Sequence, residues 1–146
     1  MADLKSLQAD IAKGYDVYLA ELKQHTTAGW ETKPAGGAEG EAAWCARQVA
    51  EHLTGSAGFF AMGIGRAIGV KAAAMPQYSF AHPEQAVAAL PAAHANLMAI
   101  VGQVPEANLA KELEFGPLGK TTIGGVIGIV AYHLNDHANQ LKTLRG

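Results

Sequence analysis

Cysteine, charge and long apolar runs are all scarce in this chain. A single cysteine among 146 residues excludes an internal disulfide framework and is typical of a reducing compartment. The net charge of −2, from 11 basic and 13 acidic side chains, provides no basic face of the kind that binds nucleic acid. The longest apolar run, Ile123 to Tyr132, is about half of the roughly 20 residues that cross a bilayer. No apolar signal segment opens the chain, so we expect a cytoplasmic protein with neither a nucleic-acid nor a membrane partner.

What the chain has instead is apolar residues at helical spacing. Hydrophobic residues make up 49% of it, enough for one domain over residues 1–146 with a single core. Four segments repeat apolar residues every three or four positions, which predicts four amphipathic helices and hence an all-α, antiparallel bundle. The predicted helices run from Asp3 to about His25, from Glu41 to Gly69, from Glu84 to Val104, and from a Thr121 or Thr122 cap to about Leu144.

Breaker residues separate and interrupt these helices. Residues 29–40 and 75–83 are rich in glycine or proline and are expected as connections, and 105–120 as a short helical turn followed by a loop. Pro83 suits the first position of the third helix. Pro91 falls inside that helix and is expected to kink it or split it in two.

Two histidines one helical turn apart interrupt the apolar stripe of the last predicted helix. His133 and His137 share a face, since residues four apart on a helix have Cβ atoms roughly 5–6 Å apart. His52 interrupts a second apolar stripe, on the second predicted helix. Three neutral imidazoles on two packed helices would form a divalent-metal site with open coordination positions. The alternative is three separate core histidines, each hydrogen-bonded to a neighbour, because an unpartnered buried imidazole costs about 1–3 kcal/mol.

Three further polar residues are candidates to support such a site. Gln140 continues the stripe of the last helix, Asp136 flanks it, and Gln48 precedes His52 by one turn. Zinc suits imidazole ligands, and nickel, iron and manganese also fit this donor type. Leu134 stands where a metalloprotease HExxH motif has its glutamate, which removes the proteolytic interpretation.

The remaining chemically interesting side chains have plainer interpretations. Cys45 is predicted to be a small buried thiol, with no local base to make it a nucleophile. The other three histidines, His25, His82 and His94, are expected to face solvent or to cap helices.

The segments that carry the candidate ligands resemble the DinB/YfiT-like superfamily. These segments are Trp44-Cys-Ala-Arg-Gln-Val-Ala-Glu-His52-Leu, Phe115-Gly-Pro-Leu-Gly-Lys-Thr-Thr and His133-Leu-Asn-Asp-His137-Ala-Asn-Gln140. The resemblance covers nearly the whole chain. It implies a four-helix bundle with a long connection between helices two and three, and a divalent metal, often zinc or nickel, on His52, His133 and His137.

The resemblance also implies an activity and a set of partners. Relatives include S-transferases and isomerases that use bacillithiol, mycothiol or glutathione, so a small-molecule substrate and a low-molecular-weight thiol are the expected partners. Homodimers are frequent in the family, and we expect one here. A metal-dependent hydrolase and a non-catalytic metal- or ligand-binding stress-response bundle are the alternatives.

Overall fold

The computed structural model describes residues 3–145, which contain four long helices. These are α1 (Leu4–Leu22), α2 (Ala46–Ile68), α3 (Pro83–Val101) and α4 (Ile123–Leu144). Two short strands, β1 (Glu112–Glu114) and β2 (Lys120–Thr122), pair as an antiparallel hairpin just before α4. The expected four-helix bundle is confirmed, as is the long connection between α2 and α3, which occupies residues 69–82. No helix within residues 3–145 is long and apolar enough to cross a membrane.

The bundle is not simply antiparallel, because α1 and α4 pack side by side in the same direction. The backbone of Gly14, in the middle of α1, lies against the Leu134 side chain in the middle of α4. At the ends of the same two helices, Arg145 donates to the carboxylate of Glu21 at 2.8 Å. The sequence-based expectation of an antiparallel bundle is therefore wrong for this pair. Hydrophobic periodicity reports which face of a helix is buried and carries no information on its direction.

The long connection explains how α2 and α3 also come to run in the same direction. The Glu51 carboxylate, near the start of α2, accepts from the backbone N–H of Phe80 at 2.7 Å, just before α3 begins. The indole of Trp30 donates to the Phe80 carbonyl at 2.9 Å from the other side. The 23 residues of α2 rise about 34 Å, and the connection can span about 45 Å when extended. It is long enough to bring the chain back to the starting end of α2.

Three helix boundaries differ from the predicted ones, and the first helix ends at Leu22 rather than at about His25. The second helix begins at Ala46 rather than Glu41, because Trp44 and Cys45 have extended backbone conformations and Gly40–Ala43 forms a separate 3-10 turn. The third helix is neither split nor ended at Pro91, which lies on its exposed side, and it stops at Val101. An exposed proline can be tolerated there because water can reach the carbonyl that its ring leaves unpaired.

The hairpin before α4 was expected as a loop. Each strand has only three residues, too few for an alternating apolar pattern to be visible in the sequence. The predicted start of α4 is confirmed, since the Thr122 hydroxyl accepts from the backbone N–H of Gly125 at 3.0 Å. The hairpin therefore ends directly in the cap of the helix that carries two of the candidate ligands.

Two buried polar side chains have different kinds of hydrogen-bond partner. Among residues 3–145, Thr54 and His137 are the polar side chains that belong to the buried class. Thr54 is satisfied locally, because its hydroxyl donates to the Ala50 carbonyl one turn earlier at 2.8 Å. His137 has its hydrogen-bond partners, Gln140 and His133, on its own helix, and it also lies near His52 of α2.

Candidate metal centre

The three predicted ligands meet in the interior of the bundle, between α2 and α4. Nε2 of His133 lies 3.1 Å from Nε2 of His52 and 3.0 Å from Nε2 of His137. One ring nitrogen from each of the three lies within 4.8 Å of the others. The rings stand at 68° to 85° to one another, so their edges converge while their faces turn outward.

Gln140 fixes the proton on His137. Its amide nitrogen donates to the Glu41 carbonyl at 2.6 Å, which places its amide oxygen 2.8 Å from Nδ1 of His137. An amide oxygen only accepts, so Nδ1 carries the hydrogen and the neutral His137 ring presents a lone pair at Nε2. That lone pair is directed at the other two histidines. Metal-ligating histidines are oriented in this way by a partner on their second nitrogen.

Hydrogen bonds alone cannot satisfy the three converging ring nitrogens. Nε2 of His133 can donate one hydrogen or accept one, yet it faces the Nε2 atoms of both His52 and His137. With hydrogen bonds alone, only one of these two nitrogen–nitrogen contacts can have good geometry. A cation accepts a lone pair from each nitrogen at once, and zinc bound at 2.0–2.1 Å holds its nitrogen ligands about 3.3 Å apart. The two spacings from Nε2 of His133 are within a few tenths of an ångström of that value.

The environment keeps the donors neutral, as a metal requires. Burial lowers the pKa of His133 to about 3, with the neighbouring His137 and His52 acting in the same direction. Burial also lowers the pKa of His52, again reinforced by His137. A neutral imidazole is the form that binds a metal, so two of the three ligands are held ready at neutral pH.

Aromatic rings cover the cluster from two sides. Trp44 packs against His52 with ring centroids 4.9 Å apart and lies nearly parallel to His137 at 6.5 Å. Phe60 meets the edge of His133 at 5.8 Å. These rings limit the access of water and strengthen electrostatic interactions within the cluster.

Glu41 is the residue that sequence reasoning missed. Its carboxylate oxygen lies 3.8 Å from Nε2 of His137, and its side chain is 57% exposed. It belongs to the 3-10 turn before α2, and neither its spacing nor its neighbours in the sequence place it beside a helix ninety residues later. Because the same residue offers its carbonyl to Gln140, this turn is joined to the centre at two points.

The three predicted supporting residues have different positions. Gln140 contacts His137, as described above. Gln48 is used at the start of α2, where its amide oxygen accepts from the Cys45 N–H at 3.0 Å and from Lys33 at 3.2 Å. Asp136 is exposed, and within residues 3–145 neither it nor Gln48 is hydrogen-bonded to the three histidines. Gln48 serves a helix terminus, whereas Asp136 lines a surface cavity together with Glu41 and Gln140, so a supporting role for these two residues stays a prediction.

The other histidines follow the prediction only in part. His82 is exposed and is the N-cap residue of α3, as expected. His25 is half-buried, with its ring nitrogen 3.0 Å from the Leu141 carbonyl. His94 lies in the middle of α3, stacked on Tyr15 with ring centroids 3.8 Å apart. The expectation of solvent-facing or capping roles is wrong for these two, because tertiary packing covers them. Cys45 is buried, as predicted.

The fold and the three converging imidazoles define a class of protein, a four-helix bundle with a histidine cluster that could hold a metal ion. The chain belongs to the DinB superfamily, whose sequence profile matches residues 11–141. No curated protein matches it.

Solved structures with the same fold are distant in sequence. TT2238, described as a four-helix bundle protein, has a TM-score of 0.72 at 21% identity, over 96% of this chain and 98% of that chain. The colibactin self-resistance protein ClbS, in complex with a dsDNA, has a TM-score of 0.72 at 15% identity, over 99% and 96%. A conserved protein from Enterococcus faecalis has a TM-score of 0.66 at 13% identity, over 99% and 96%.

Proposed function

We propose that the protein binds one divalent cation, zinc or nickel, through His52, His133 and His137, and uses it to transfer a low-molecular-weight thiol to a small electrophile. The observation that carries the metal proposal is the convergence of three Nε2 atoms, one of which has its lone pair fixed by Gln140. The thiol proposal is supported by membership of the DinB superfamily. Thiol transfer requires few protein groups, because a thiol becomes a nucleophile once it has lost its proton.

The side chains around the centre have separable roles in this proposal. A divalent cation there would lower the pKa of a coordinated thiol and polarise an electrophile. Gln140 orients His137, and Trp44 and Phe60 keep water from the rings of the other ligands. Glu41, at 3.8 Å from His137, can receive the proton that the thiol loses. The sulfur then bonds to the electrophilic carbon, and the leaving group departs with the electron pair of its broken bond. The location that we propose is the cytoplasm, and the assembly a homodimer.

Metal content tests the first part of the proposal. Protein purified without a histidine tag should contain about one equivalent of zinc or nickel by elemental analysis, and His133→Ala should contain less than about 0.2, because two imidazoles bind a cation far more weakly than three. Replacing Gln140 by leucine should weaken binding by about 10- to 100-fold. His82→Asn is the matched control, since it removes an exposed histidine and keeps a capping side chain. Equal metal content in His133→Ala and the control would contradict the metal proposal.

A thiol panel tests the second part. We expect the metal-loaded protein to conjugate a chromogenic electrophile with bacillithiol, mycothiol or glutathione, and Glu41→Gln to lower kcat while leaving metal content unchanged. The measurement is the initial rate with each thiol, together with ester hydrolysis in the absence of thiol. Metal binding with hydrolysis alone would favour the hydrolase. Metal binding without any turnover would favour a non-catalytic bundle.

Duplex DNA is the second candidate partner, favoured by the complex that ClbS forms. The net charge of −2 favours the small molecule instead. Fluorescence anisotropy with a labelled duplex separates the two. Binding that weakens steeply as salt is raised would support a DNA partner.

A further inference from the structure

A cleft lies away from the histidines, between the C-terminal half of α2 and the hairpin. It is a cleft of about 410 Å³, within the range of small-molecule sites. The lining residues are Phe59, Met62, Gly63, Arg66, Ala67, Leu113, Glu114, Phe115 and Gly116. We call it the α2–hairpin cleft. None of these residues takes part in the metal centre described above.

The walls of this cleft are apolar and unusually accessible. Phe59 and Met62 are 51% and 48% exposed, and they are two of the few large apolar side chains among residues 3–145 that face solvent. Phe115 lies edge-on to Phe59 at 5.3 Å and closes one side. The missing side chain at Gly63 makes this possible, because a Cβ atom there would overlap the Phe115 ring. Phe115 itself is only 5% exposed, so the apolar surface open to a ligand is that of Phe59 and Met62.

One charged group at the cleft has no partner. The chain has three arginines, and Arg47 and Arg145 both hold carboxylates at 2.8 to 3.0 Å. Arg66 lines the cleft, and within residues 3–145 its guanidinium forms no ion pair. The one acidic residue in the lining, Glu114, stands across the hairpin from Lys120, and within residues 3–145 it forms no ion pair with Arg66. A guanidinium beside an apolar cleft is suited to an anionic group on an apolar body.

The cleft and the metal centre share one face of α2. His52, Phe59, Gly63 and Arg66 follow each other at intervals of seven, four and three residues, so they lie along one line of the helix surface. The cleft begins about 10 Å from His52, seven residues at 1.5 Å each. A molecule in the cleft would point along the helix toward the histidines.

We propose that the α2–hairpin cleft binds a small organic anion, with its apolar part on Phe59 and Met62 and its anionic group on Arg66. This inference goes beyond the proposed function and does not need the metal. Arg66 also lies in the last turn of α2, where a positive charge favours the helix terminus. Its effect on ligand binding must therefore be separated from its effect on the helix.

The test uses 4-phenylbutyrate and its neutral amide as probes, titrated into the EDTA-treated protein and followed by ¹H–¹⁵N chemical shifts. Phenylbutyrate should shift residues that line the cleft, and Arg66→Gln should weaken it by about tenfold through loss of a charge-assisted hydrogen bond. The amide should bind more weakly and be unaffected by Arg66→Gln. Phe59→Ser should weaken both probes alike.

Lys5→Gln is the matched control, because it removes one exposed positive charge from α1, far from the cleft in sequence. It should leave both affinities unchanged, and thermal melting should show that every variant is folded. Equal losses in Lys5→Gln and Arg66→Gln would overturn the proposal. So would a cleft that binds neither probe but forms a concentration-dependent dimer abolished by Phe59→Ser. Because the protein carries no metal in this experiment, failure here leaves the metal proposal standing, and the reverse also holds.

Discussion

Gln140 shows how much of the candidate site depends on the orientation of one amide. Its nitrogen satisfies the Glu41 carbonyl and its oxygen holds the proton on Nδ1 of His137. The sequence predicted that this residue belongs to the site, because it continues the stripe of His133 and His137. Glu41 was not predicted, because its position depends on a turn that folds over the end of α4. Periodicity along a helix finds residues on that helix and misses those that another segment brings to it.

His94 allows a test of pH dependence at a single residue. Burial lowers its pKa, with Asp16 acting weakly in the opposite direction, so the folded state favours the neutral ring. The unfolded chain binds the proton more readily, so the stabilisation from His94 is complete above about pH 6.5 and is lost as the pH falls below that value. His94→Phe, which keeps a ring against Tyr15 but cannot titrate, should lose less stability between pH 7.5 and pH 5.

The measurement is the free energy of unfolding in urea with EDTA present, each protein being compared with its own value at pH 7.5. This removes any constant effect of the substitution. The same pH slope in both proteins would show that the half-buried His94 ring does not resist protonation.

At the scale of the element, α2 carries the candidate ligand His52 and follows a separate 3-10 turn. It also contains two glycines that differ in whether a side chain could be accommodated. Gly55 faces open space, whereas Gly63 lies under the Phe115 ring. In the sequence both are simply glycines within a predicted helix, and nothing distinguishes them. The hairpin that places Phe115 over Gly63 was also not predicted, because strands of three residues leave no periodic pattern.

These two glycines form a matched pair of substitutions in one helix. Gly55→Ala should stabilise the protein by about 0.5–1 kcal/mol, since alanine favours the helix and meets no neighbour. Gly63→Ala gains the same propensity but displaces a buried ring, and overpacking typically costs 1–3 kcal/mol, so we expect net destabilisation of about 1 kcal/mol. Urea unfolding of both variants measures the difference. Equal stabilisation by the two alanines would mean that Phe115 moves aside freely.

At the scale of the whole molecule, the connection of residues 69–82 decides how the helices are arranged. It returns the chain to the end where α2 began, so α2 and α3 share one direction and α1 and α4 the other. This arrangement sets α4 beside both α1 and α2. His133 and His137 can then meet His52, although 81 residues separate His52 from His133.

The sequence by itself determined the four helices, the buried stripe of each and the three histidines on two of those stripes, because helical periodicity and imidazole chemistry are local properties. It also carried the motifs of the DinB superfamily. Only the tertiary structure decided which helices are parallel, that Glu41 reaches His137, that His94 is half-buried, and that a cleft lined by Arg66 lies beside the hairpin. Those features arise from contacts between segments far apart in the chain, and such contacts leave no periodic trace in either segment.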